Sequence, residues 1–191
     1  MKNEPIATGR VEGLCINGVV VLSAYFDFRG PVGDKHSELT RHLSGHDGGY
    51  IRTSDLKKGD VVINCRQWTA LSKEELLEIE HSLGCIIPPG CLLENLVISG
   101  VPEFSRLLSG SRLVFPKREH FGCESQLILA VWEENNPCHV VGRRLQDHHG
   151  IPGLSTKFIS SAQHRRGVMG FVFSPGPVEV GDEVVVYPPM Q

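Results

Sequence analysis

The chain of 191 residues carries a formal net charge of -3, with 40 % hydrophobic and 21 % charged residues. That length suits a single domain over residues 1–191, and the 19 lysines and arginines are scattered instead of forming a basic stripe, which speaks against nucleic acid as a partner. No long apolar run opens Met1 to Arg10 and the six cysteines lack disulfide-framework spacing, so the expectation is a cytoplasmic protein with reduced thiols and neither leader nor membrane span.

The 21 glycines and 12 prolines punctuate short β-branched runs, a pattern of many short strands. In chain order, Ala7 to Ile16 and Val19 to Leu22 flank Asn17-Gly18, a dipeptide suited to a tight turn, and are expected to pair. Arg29 to Lys58 is rich in Gly, His, Asp, Ser and Arg without a sustained period, and reads as a long loop of the kind that often carries function. Val61 to Ile63 reads as a short buried run. Ser72-Lys73-Glu74-Glu75 has capping-box spacing, which predicts a helix that turns Leu76, Ile79 and Leu83 to one face and stops at Gly84.

After Pro88-Pro89-Gly90 a strand is expected over Leu92 to Ile98, with Glu94 and Asn95 as a polar pair inside it. Glu103 to Leu108 predicts one or two helical turns, Leu113 to Phe115 a strand closed by Pro116, and Gln126 to Trp132 the longest strand. The segment Glu133 to His139 then reads as a loop. A second helix is predicted over Ser155 to His164, with Phe158, Ile159 and Ala162 buried and His164, Arg165 and Arg166 in its last turn, where positive charge suits the dipole. Val168 to Phe173 and Glu183 to Tyr187 complete the strands.

The sharpest chemical candidate is Glu133-Glu134-Asn135-Asn136-Pro137-Cys138-His139, which puts a cysteine just after a proline at the exit of the longest strand. Proline removes a backbone donor and fixes its own turn, which would present the thiol from a loop. A protonated His139 would help hold a thiolate, the form that attacks sulfur donors and binds soft metals. The plain alternative is a partly buried structural cysteine. Gly33-Asp34-Lys35-His36, with Thr40, His42, His46 and Asp47 downstream, is either a polar binding loop or simply a solvated one. Arg66 and Gln67 come directly after a strand, placed either to grip an oxyanion or heterocycle edge or to bond backbone carbonyls in a turn. Glu94 and Asn95 either cross-link strands or border a site. The sequence has no close cysteine pair or His-Glu-x-x-His for zinc, no phosphate-binding glycine loop and no Gly-x-Ser-x-Gly elbow, which disfavours dedicated zinc, nucleotide-hydrolase and serine-hydrolase chemistry.

Taken in order, Gly33-Asp34-Lys35-His36, Leu93 to Gly100, Gly110-Ser111-Arg112-Leu113, Asn136-Pro137-Cys138, Arg166-Gly167-Val168 and Pro175 to Val184 resemble the MOSC family, the domain found at the C-terminus of molybdenum cofactor sulfurases and as stand-alone bacterial proteins. The resemblance covers most of the chain. It implies a mainly β, barrel-like fold with a few peripheral α-helices, in agreement with the strand count. It further implies that Cys138 carries persulfide sulfur or ligates molybdenum, so that a molybdenum cofactor (molybdopterin) becomes a candidate ligand. Asp34, His36, Arg66, Gln67, Glu94, Asn95 and Arg166 are then the candidate residues around it. Asn136 stands where family members often have a basic residue, a role open to Arg143, Arg144 or Arg166. The family's His-Gly-Gly is represented by His46-Asp47-Gly48-Gly49, with one residue interposed.

The larger sulfurases join this domain to a pyridoxal-phosphate cysteine desulfurase module, which this sequence lacks, so no pyridoxal phosphate is expected here. A separate cysteine desulfurase, a molybdoenzyme or an electron-transfer protein is the expected partner. The same resemblance implies two rival roles: a molybdenum-dependent reductase component acting on N-hydroxylated compounds, and a non-catalytic adaptor for a molybdoenzyme.

Overall fold

A computed structural model describes residues 4–44, 47–120 and 122–190. The chain runs through β1 (Ala7–Ile16), β2 (Val19–Val21), β3 (Ser23–Asp27), β4 (Gly30–Pro31), β5 (Thr40–His42), α1 (Gly48–Thr53), β6 (Val61–Ile63), β7 (Trp68–Ser72) and α2 (Lys73–Leu83). It continues through β8 (Leu96–Ser99), a 3-10 turn at Phe104–Arg106, β9 (Arg112–His120), β10 (Cys123–Glu134), α3 (His139–His149), α4 (Leu154–Ser161), β11 (Val168–Ser174), β12 (Gly176–Glu179) and β13 (Glu183–Tyr187). No helix among the described residues is long and apolar enough to cross a membrane.

The main sheet has the order β13-β9-β10-β11-β7-β8-β1-β2, and β13 also pairs with β1, which closes seven of its strands into a barrel. The fold is therefore mainly β, as expected. Neighbours are antiparallel except β7 and β8, whose parallel pairing requires a crossover connection, supplied by α2 and the segment after it. Alternate residues of the strands fill the interior: Trp68, Leu96, Ile98, Leu113, Phe115, Leu127, Leu129, Val184 and Val186 are all buried. The β1–β2 hairpin turns at Asn17 and Gly18, whose φ values of 54° and 77° are those of the tight turn this dipeptide favours.

A second apolar core lies among α2, α3, α4 and the segment before β8. Ile79, Leu83, Ile87, Leu92, Val141, Leu145, Leu154 and Phe158 form it, and Cys138 packs against its edge. Ser72 caps α2 as predicted by accepting from the Glu75 backbone N–H, and Gly84 ends the helix with φ 75°.

Several expectations change. The loop over Arg29 to Lys58 contains β4, β5 and α1, and β5 pairs with β6 in a separate two-stranded sheet. Val61 and Ile63 are exposed, because β6 has no second layer over that face. Leu92 to Asn95 is a turn with Leu93 at φ 60°, since the Glu94 carboxylate accepts from the Gly90 N–H and folds the chain back before β8 begins. Pro116 does not end β9, because it sits at a register shift opposite β10, where a missing N–H costs no ladder bond. The helix expected to reach His164 stops at Ser161, so Arg166 is not a helix-terminal charge. The loop reading holds for Cys138, which precedes the helix as its extended N-cap, and gives way at His139 to α3, a helix with few apolar residues that holds its place through Val141, Gly142 and Leu145.

Candidate functional site

The site grows from the end of β10. Asn135 is buried and donates its backbone N–H to the Gly167 carbonyl at 2.9 Å, which ties the strand exit to the start of β11. The buried Arg166 guanidinium organises the chain beyond that exit: Nη1 donates to Asn135 Oδ1 at 2.5 Å and to the Asn136 carbonyl at 2.9 Å, and Nη2 donates to the Leu92 carbonyl at 3.1 Å. Three acceptors on two segments thus wrap one cation. Burial presses the Arg166 pKa below its ordinary value, while the neighbouring Cys138 and Glu94 act in the opposite direction.

Pro137 then leads into Cys138, which is the N-cap of α3 in an extended conformation (φ -135°, ψ 156°) and whose carbonyl accepts from Gly142 at 3.1 Å. The thiol makes no capping hydrogen bond and is half-buried. It lines a cavity of about 430 Å³ whose walls include Ser44, Arg66, Glu133, Asn136, Arg166 and Met169.

Arg66 forms the opposite wall. Its Nε and Nη2 each lie 3.0 Å from Glu133 Oε1, and its Nη1 lies 3.2 Å from Asp47 Oδ1. Of the residues singled out in the sequence, the structure brings Cys138, Arg66 and Arg166 to one cavity.

The others lie elsewhere. Asn95 cross-links three segments: Oδ1 accepts from Thr69 N at 3.0 Å, and Nδ2 donates to the Cys15 carbonyl at 3.2 Å and to Asp34 Oδ2 at 3.1 Å. Asp34 also accepts from the backbone N–H groups of Asn17 and His36, so it fastens its loop to the β1–β2 turn. The His36 side chain is exposed, and its carbonyl accepts from Asn64 Nδ2. Gln67 is buried and accepts from Val172 N at 2.9 Å, joining the start of β7 to β11. Glu94 is 3 % exposed, sits behind Arg166, and has its pKa raised by burial against hydrogen bonds from backbone N–H groups.

His139 is exposed and is not part of the cavity wall, and His46 lies outside the described residues. Arg143 is exposed, and Arg144 reaches toward Gly18 and Cys91, which leaves Arg166 as the cation at the Asn136 backbone. Glu133 and Asn135 join the site as members of the candidate segment that ends in the Pro-Cys step, though the sequence gives them no individual role; Ser44 joins it with no local signal.

A closed barrel bearing a half-buried cysteine at a helix start, over a buried arginine, defines a thiol-presenting barrel domain. The MOSC domain model matches residues 39–185, and the chain belongs to the MOSC domain family. It is 33 % identical over 164 residues, 85 % of this chain and 78 % of the relative, to a protein of Bacillus subtilis (strain 168) named "Putative metal-sulfur cluster biosynthesis proteins YuaD". The crystal structure of the YuaD protein from Bacillus subtilis superposes with a TM-score of 0.83 at 30 % identity, covering 96 % of this chain and 97 % of that one. A crystal structure of a hypothetical protein shares the fold at a TM-score of 0.57 and 16 % identity, covering 95 % of this chain and 68 % of that one.

Proposed function

We propose that the protein handles sulfur at Cys138, accepting it as a persulfide or offering the thiolate to molybdenum. One observation carries this reading: the cysteine borders a cavity, with a buried guanidinium on one side and a helix start beneath it. Membership of the MOSC family and the name of the YuaD relative support a role in sulfur or molybdenum chemistry.

For the persulfide, the Cys138 thiolate attacks the outer sulfur of a persulfide on a cysteine desulfurase. A new S–S bond forms at Cys138, the donor's S–S bond breaks, and the donor leaves as a thiolate. Arg166 and the α3 N-terminus stabilise the anion before and after transfer.

The donor set also bears on the molybdenum cofactor. Among the described residues no three or more His, Cys, Asp or Glu side chains could together hold a metal ion. In this cavity the one cysteine, and so the one soft thiolate ligand among the described lining residues, is Cys138. That fits a metal which brings its own sulfur and oxygen ligands on an organic cofactor, and does not fit a bare ion. When bound, such a cofactor would supply redox or oxygen-transfer chemistry; Cys138 would ligate it, and Arg66 and Arg166 would face its anionic parts.

The test is intact-protein mass spectrometry after incubation with a cysteine desulfurase and cysteine. The mass of one sulfur atom should appear, map to Cys138, vanish on reduction and be absent in Cys138→Ser. Equal loading of the serine variant, together with unchanged molybdenum retention after incubation with the isolated cofactor, would reject the assignment.

A further inference from the structure

One carboxylate sits behind the cavity wall and touches two of the residues that build it, Ser44 and Arg66. Asp47 is 1 % exposed. Its Oδ1 accepts from Arg41 Nη2 at 2.8 Å and lies 3.2 Å from Arg66 Nη1. Its Oδ2 accepts from Arg41 Nη1 at 2.9 Å, from Ser44 N at 2.7 Å and from Ser44 Oγ at 2.9 Å. Two of these three partners, Ser44 and Arg66, line the Cys138 cavity.

These contacts join separate parts of the chain. Arg41 comes from β5, Arg66 lies just after β6, and Asp47 begins α1, so this one carboxylate ties the small β5–β6 sheet to the segment that leads into β7. The remaining donors of Arg66 go to Glu133, at the end of β10 beside Asn135. Two guanidinium charges, from Arg41 and Arg66, thus meet two carboxylates, from Asp47 and Glu133. Burial would raise the Asp47 pKa, but hydrogen bonds from Arg41 and Ser44 and the charge of Arg41 outweigh it and hold the carboxyl well below the usual carboxylate range.

We infer that Asp47 is a positioning residue for the Cys138 cavity: it holds Arg66 and Ser44 in the cavity wall, and its charge sets how strongly that wall attracts anions. The inference rests on Cys138 being an accessible thiol in that cavity, and not on which sulfur compound it receives. Without the Asp47 charge the wall gains one net positive charge beside the thiol. Anionic reactants should then be drawn in more strongly than neutral ones of the same size.

Paired alkylation of the full chain tests this. Iodoacetate and iodoacetamide differ in charge and little in shape, so the ratio of their rate constants at Cys138, read by peptide mass spectrometry, reports the local potential. In low salt, Asp47→Asn should raise the iodoacetate-to-iodoacetamide ratio at least about twofold, and added salt should shrink the difference. Asp47→Glu keeps the charge and should return the ratio to that of the parent protein even if both rates change. Arg41→Gln removes a positive charge from the same group and should lower the ratio, which keeps the inference testable if Asp47→Asn does not fold. A ratio unchanged in Asp47→Asn and in Arg41→Gln would overturn it, as a purely structural tie would move both rates together. Failure of Cys138 in the parent protein to react with either reagent would instead overturn the accessible-thiol reading, and this inference with it.

Discussion

At the residue scale, burial and hydrogen-bond partners decide what replacing Cys138, Glu94 or Asp47 does. Cys138 is half-buried at the edge of the helical core, so replacing its sulfur with oxygen removes the nucleophile and little packing. Cys138→Ser should lose sulfur loading entirely while the unfolding free energy by urea titration changes by about 1 kcal/mol or less. Glu94 and Asp47 make opposite contributions to the pH dependence of stability. The Glu94 pKa is raised by burial, so the folded protein holds that proton more tightly than the unfolded chain. Its contribution is whole below the unfolded pKa and is lost as pH rises through the folded one. The Asp47 pKa is lowered, so its contribution is present above the unfolded pKa and is lost as pH falls through the folded one. Urea titrations across pH should therefore show a shallower decline as pH rises above the ordinary carboxylate range for Glu94→Gln, and a shallower decline as pH falls below it for Asp47→Asn. The Pro-Cys step marks Cys138 in the sequence, but nothing local to Arg166 shows that its guanidinium reaches back to Asn135, Asn136 and Leu92.

Helix α3 decides how the cysteine is presented at the scale of the element. Gly142 lies one turn below Cys138, and a Cβ added there would stand 2.8 Å from both the carbonyl and the hydroxyl oxygen of Ser155. The backbone oxygen cannot move aside. Gly142→Ala should therefore push α3 away from α4, cost about 1–3 kcal/mol by urea titration, and change the alkylation rate of Cys138 because its cap moves with the helix. Legibility in sequence differs sharply between helices for a physical reason. In α2, a capping serine, a stop glycine and three spaced apolar residues are all local signals, and each is readable. In α3, only Val141, Gly142 and Leu145 are buried, and the rest of the helix is polar apart from the exposed Val140, so its stability comes from packing against α4 that no short window contains. The end of α4 escapes a sequence reading because the charged run after it resembles a favourable helix terminus, whereas tertiary packing buries Arg166 instead.

Closure governs stability in the whole molecule. β13 pairs with β1 on one side and β9 on the other, joining the two ends of the chain in one ring of hydrogen bonds, and its Val184 and Val186 are fully buried. Deleting residues 183–191 should open the barrel and abolish the cooperative thermal transition followed by circular dichroism, because two strand edges and the core side chains beneath them are exposed together. By itself, the sequence determined the strand-rich class, the first hairpin, helix α2 and the prominence of Cys138. All of these rest on turn chemistry, alternation and capping, which act over a few residues. Tertiary structure alone decided which strands close the ring, that Asn95, Asp34 and Gln67 serve as cross-links, and that Cys138, Arg66 and Arg166 line one cavity with Asp47 behind Arg66. Those outcomes depend on contacts between residues tens of positions apart, and their geometry exists only once the barrel has closed.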